Sequence, residues 1–136
     1  MKNLFVFLTV TCCILLFSCK EKDSDRFKFL TEPVWVAETL IANGIDATGP
    51  GGLLEGFVGD AKFNADGTGT FGTYTGTWTF NATEDKLIIT TPSLPISITL
   101  NIVELTSTTL KLQGSLPDPQ NPFGPVIDIQ MTFIPK

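Results

Sequence analysis

Between Ile96 and Ile102 every second residue is apolar, with Ser97, Thr99 and Asn101 in between. The last part of the chain repeats the pattern: Ile127, Ile129, Met131 and Phe133 alternate with Asp128, Gln130 and Thr132. A period of two puts one set of side chains on each face of an extended chain. Such a segment has one wet face and one dry face, and the dry face must be covered by neighbours of the same kind. No stretch keeps a helical period over ten residues, and the one helical candidate is a single turn near Gly52 to Gly56. From Phe27 onward Thr, Ile, Val and Phe dominate, broken by Gly, Pro, Asn and Asp. This is the composition of strands and turns, so the expected fold class is all-β.

The punctuation divides this region into eight strands, at about 34–43, 60–64, 68–74, 77–81, 86–91, 96–105, 109–113 and 126–134. Asn43-Gly44, Ala65-Asp66-Gly67, Thr75-Gly76 and residues 82–85 are the expected turns. Pro92 and Pro95 stop the fifth strand. The apolar phase slips at Ile102-Val103, which predicts a bulge. Connections this short make antiparallel neighbours. The expected architecture is a small antiparallel eight-stranded meander barrel, which hides both edges. The alternative is a two-sheet β-sandwich.

The first residues carry a different message. Met1-Lys2-Asn3 is a short basic start, Leu4 to Phe17 is almost unbroken apolar, and Ser18-Cys19 is followed at once by Lys20-Glu21-Lys22-Asp23. That is the layout of a secretory signal. As a helix the apolar run spans only about 20 Å, short of the roughly 30 Å of a bilayer core. A cleaved signal is therefore expected in place of a permanent span. Leu16-Phe17-Ser18-Cys19 looks like a bacterial lipobox, with Phe17 bulkier than that pattern usually has. Cleavage there would leave Cys19 as the first residue, lipidated, and two or more acyl chains suffice for stable anchoring. The expected division is signal peptide 1–18, lipidated Cys19 and flexible tether 19–28, and folded domain 29–136. The acidic start of the tether resembles the export signal of Bacteroidetes surface lipoproteins. Localisation is expected in the cell envelope on the outer membrane, at either the cell surface or the periplasmic face.

Composition removes several function classes. The formal net charge is −5 and no Lys/Arg cluster occurs, which argues against a nucleic-acid partner. All three cysteines lie in the first nineteen residues and there is no histidine. The domain thus has no thiolate, no disulfide framework and no imidazole base or ligand. No catalytic residue, metal site or cofactor is expected. Paired carboxylates can hydrolyse glycosides, but nothing in the spacing of the acids selects a pair. Gly49 to Gly52 lacks the Lys of a phosphate loop. Asn64 to Gly67 lacks the ligand run of a calcium loop.

Leu30-Thr31-Glu32-Pro33-Val34-Trp35, Asn43-Gly44, Phe63-Asn64-Ala65-Asp66-Gly67-Thr68, Gly76-Thr77-Trp78, Leu87-Ile88-Ile89-Thr90 and Ile102-Val103-Glu104-Leu105 occur in that order. The series resembles the lipocalin-like domain lipoproteins of Bacteroidetes, across roughly Phe29 to Lys136. Pro33 stands where the family's opening glycine is usual, and no Arg follows Arg26. The resemblance implies a small barrel with room for an apolar cavity, and it names no ligand.

Trp35, Phe63, Phe71, Trp78, Phe80 and Phe133 are the candidate ligand-binding residues. The competing reading is that they fill the barrel, since eight strands enclose little more than their own side chains. Two loops, 45–57 and 114–125, are placed to cover the mouth or to plug one end of the core. The expected function is a lipid-anchored binding module for a small apolar or amphipathic ligand. The alternative is a filled barrel serving as an accessory subunit, with an envelope protein as its partner.

Overall fold

A computed structural model describes residues 23–118 and 120–136. The expected signal peptide and lipidation site Cys19 lie outside the described residues.

The chain opens with helix α1 (Asp25–Thr31) and then runs through nine strands. These are β1 (Trp35–Ala42), β2 (Ile45–Asp46), β3 (Asp60–Phe63), β4 (Thr68–Phe71) and β5 (Tyr74–Phe80), then β6 (Lys86–Thr90), β7 (Ile98–Leu105), β8 (Leu110–Leu116) and β9 (Ile127–Pro135). A 3-10 turn, Glu55–Phe57, lies between β2 and β3. Each strand from β3 to β9 pairs antiparallel with the next, and β1 pairs with both β3 and β9. The result is a closed antiparallel barrel of eight strands, consistent with a lipocalin-like barrel, with β2 as an extra strand on β1. Closure rules out the sandwich alternative, because no pair of sheet edges is left to divide.

The alternation seen in the sequence becomes the inside and outside of this barrel. Ile98 and Leu100 of β7 and Ile129, Met131 and Phe133 of β9 are buried. The expected bulge is present: the β7–β8 register shifts between Ile102 and Glu104, and Val103 projects outward, 55% exposed. The middle of the barrel is filled. Trp35, Phe63, Leu87, Leu100, Leu110 and Leu112 are each at most 1% exposed. Phe63 packs against Phe71 and, edge-on, against Trp78, with ring centres 5.2 and 5.8 Å apart.

Two expectations need correction. The first concerns the tether. Residues 24–28, expected as flexible, belong to the folded unit. Ser24 caps α1 by accepting a hydrogen bond from the Phe27 N–H at 3.1 Å. Its hydroxyl also donates to the Glu84 carboxylate at 2.7 Å, and Arg26 Nε donates to the Glu84 carbonyl at 2.9 Å. Glu84 sits in the turn between β5 and β6, so partners about sixty residues away order a segment that is locally too polar to order itself. At the other end of α1, Lys62 Nζ donates to the carbonyls of Thr31, Glu32 and Pro33. These include carbonyls that a helix C-terminus leaves without partners. Leu30 is fully buried, and the Trp35 indole N–H donates to its carbonyl at 3.0 Å. Helix α1 is a plug across one end of the barrel.

The second correction is a hairpin. The turn expected at Thr75-Gly76 lies inside β5. The chain reverses three residues earlier, where Phe71 faces Tyr74 across a two-residue loop. Gly72 opens that loop at φ +61, a conformation that costs glycine least. Gly76 is needed for a different reason: a Cβ there would collide with the Thr90 carbonyl of β6. Gly76 thus permits a close approach of strands, and Gly72 permits the turn.

The plug makes a direct prediction. Leu30→Ala should destabilise the domain by about 2–4 kcal/mol, read from its denaturant midpoint. A change of less than about 0.5 kcal/mol would mean that α1 does not plug the barrel.

Candidate functional site: an apolar cavity at the open end

The end of the barrel opposite α1 is where β4 turns into β5, β6 leads to β7, and β8 leads to β9. A cavity of about 520 Å³ lies there. Leu53 and Phe57, from the connection around the 3-10 turn, form one wall. Tyr74 begins β5 beside them, and Leu94, Ile96 and Ile98 come from the entry to β7. Leu116, Pro117, Asp118 and Pro122 form the far wall, at the exit from β8. The floor is barrel core, since Phe57 and Ile98 are buried. The rim is open, with Ile96 50% exposed. A pocket of this volume, mostly apolar with a few polar groups, has the ordinary build of a small-molecule site.

Backbone contacts hold the wall in shape. The Gly56 carbonyl accepts the Thr73 N–H at 2.8 Å and the Thr73 hydroxyl at 3.1 Å. The 3-10 turn is thereby fastened to the β4–β5 loop. A Cβ on Gly72 would run into the Gly56 carbonyl and the Phe57 backbone. This close fit brings Phe57 and Tyr74 together edge-to-face, with ring centres 4.9 Å apart. Across the mouth, Pro95 and Pro122 restrict the backbone of the two other loops.

None of the six aromatic residues expected to bind a ligand lines this cavity. Trp35, Phe63, Phe71 and Phe133 are buried in the barrel core. Trp78 and Phe80 stack edge-on at the plugged end, with ring centres 5.4 Å apart. There they border a shallower groove of about 310 Å³ together with Phe27 and the β3–β4 turn. Large inward aromatics fill a small barrel before they can line anything. The two loops read as mouth covers do supply cavity residues, Leu53 and Phe57 from one and Leu116, Pro117, Asp118 and Pro122 from the other. Tyr74 and the 94–98 segment were missed. The 94–98 segment had a signal, the Pro92–Pro95 interruption, which marks a loop at a strand entrance as plainly as Pro117–Pro125 does; Tyr74 had none.

Acidic side chains in the loops hold the loops themselves. The Thr48 hydroxyl and then its backbone N–H donate to Asp46, holding that carboxyl below the usual carboxylate range. Thr68 does the same for Asp66, and Thr83 with Asn81 for Asp85. Among the described residues no three acidic side chains converge in a metal-binding group.

No protein-family model matches the chain, and no curated protein sequence matches it either.

Gly72→Ala should cost about 2 kcal/mol or more, because it adds a strained φ to a backbone collision. Equilibrium unfolding measures the loss. An unchanged midpoint would mean that the loop and the 3-10 turn are not locked together.

Proposed function

We propose that this protein is a lipid-anchored envelope lipoprotein of the lipocalin-like type, and that it binds a small apolar or amphipathic ligand at the barrel mouth without catalysing a reaction. The observation that carries the binding reading is the cavity of about 520 Å³ with a wall of Leu, Ile, Phe and Pro side chains. An apolar surface held open by rigid loops is stabilised when an apolar body replaces water in it. The anchor reading is supported by the Leu16-Phe17-Ser18-Cys19 motif behind an apolar run that is too short to span a bilayer.

A second reading, an accessory subunit of an envelope complex, is favoured by one feature. Phe123, in the loop between β8 and β9, is fully exposed, and Val126 and Ile45 at the same end are 57% and 72% exposed. Protein partners are recognised through such side chains.

Two experiments test the proposal. Cys19→Ser should move the protein from membranes to the soluble fraction; a variant that stays bound after washing sinks the anchor. Native mass spectrometry of the released protein should show an added mass that leaves on activation. Ile96→Arg puts a charge on the exposed cavity wall and should abolish that mass while the far-UV spectrum stays unchanged. A clean unliganded mass from the unsubstituted wall, with no uptake of added decanol, would favour the accessory-subunit reading.

A further inference from the structure

The charges around the mouth narrow the ligand class, an inference that rests on the cavity being the ligand site. Among the side chains lining it, Asp118 is the one that carries a charge, and Tyr74 adds a hydroxyl. Asp118 Oδ1 accepts the Gln120 N–H at 2.8 Å, which holds the carboxylate within its own turn. Among the described residues it is in no ion pair.

Among the described residues the basic side chains are all elsewhere. Arg26 and Lys28 are on α1, and Lys62 caps that helix. Lys86 begins β6 at the plugged end. Lys111, near the start of β8, pairs with Glu104 at 3.2 Å, and Lys136, beyond the end of β9, pairs with Asp60 at 2.7 Å. Asp46, Asp128 and Glu55 add further carboxylates on the mouth side.

An anionic head group brought to this mouth would lose water, gain no cation and sit beside a carboxylate; each of these opposes binding. A cationic head group would meet a carboxylate at the edge of a low-dielectric space. We propose that the mouth takes an amphiphile with an apolar body and an amine or ammonium head, and that Asp118 is the side chain that selects it.

The test is a set of three probes with one tail: decylammonium, decanol and decanoate. Each is titrated calorimetrically into the Cys19→Ser protein, purified without detergent. Decylammonium should bind at least about tenfold more tightly than decanoate, with decanol between them. Asp118→Asn preserves the turn that Asp118 closes, and it should remove most of decylammonium's advantage over decanol. Asp25→Asn, the same change in net charge at the plugged end, should leave that advantage intact. A decylammonium affinity no higher than that of decanol or decanoate overturns the proposal. So does an advantage that Asp25→Asn reduces as much as Asp118→Asn, since net charge would then be its source. Binding of decanol or decanoate in either case would leave the cavity standing as a ligand site. Failure of all three probes to bind would overturn the cavity reading and this proposal together.

Discussion

Strand β1 is hydrogen-bonded to β9 along nearly its whole length on one edge and to β3 at its start on the other. This double pairing turns a seven-strand meander into a barrel. Without it β3 and β9 would be open edges, and Trp35, Leu40 and Phe133 would lose their cover. The pairing joins residues about a hundred positions apart, from Trp35 with Pro135 to Ala42 with Ile129. Loop-closure entropy must be met before such contacts form. The local hairpins from β3 to β8 have no such delay, so the seam is expected to close late in folding. A register shift in the seam between Ala37 and Thr39 gives β1 the added twist that bulges supply to barrel strands.

Closure leaves two ends, and the chain treats them differently. One end receives a helix whose cap, side chains and terminal carbonyls all bond to the barrel, and the large aromatic residues gather toward it. The other receives only loops, tied to one another by backbone contacts and rich in proline. A filled interior and a cavity thus coexist in one small barrel, because the cavity occupies the loop layer above the filled strands.

How much of this was legible depended on whether the cause was local. The alternation in β7 and β9, the bulge at Val103 and the Ala65-Asp66-Gly67 turn were readable, because each is decided within a few residues. Helix α1 was not, since Ser24 and Arg26 are ordered by Glu84, far along the chain. The Gly72/Gly76 exchange shows a second limit. Both positions exclude a side chain, one through φ and one through the proximity of β6, and composition alone does not separate the two causes. The six aromatics point inward, and inward in a narrow barrel means packed. Much of the cavity lining, Leu53, Phe57, Leu94, Pro117 and Pro122 among it, comes from connections between strands, where no periodicity marks it.

Helix α1 fixes more than the barrel's floor. The described chain enters at the plugged end, and Cys19 lies six residues before Asp25, a reach of at most about 22 Å. Strand β9, nine residues long, rises roughly 23 Å when tilted as barrel strands are. A surface that held Cys19 would therefore have the floor next to it and the opening on the far side. On the proposed anchor that distance would be no longer than the barrel is tall, which would keep the plugged end toward the membrane and the cavity mouth toward solvent.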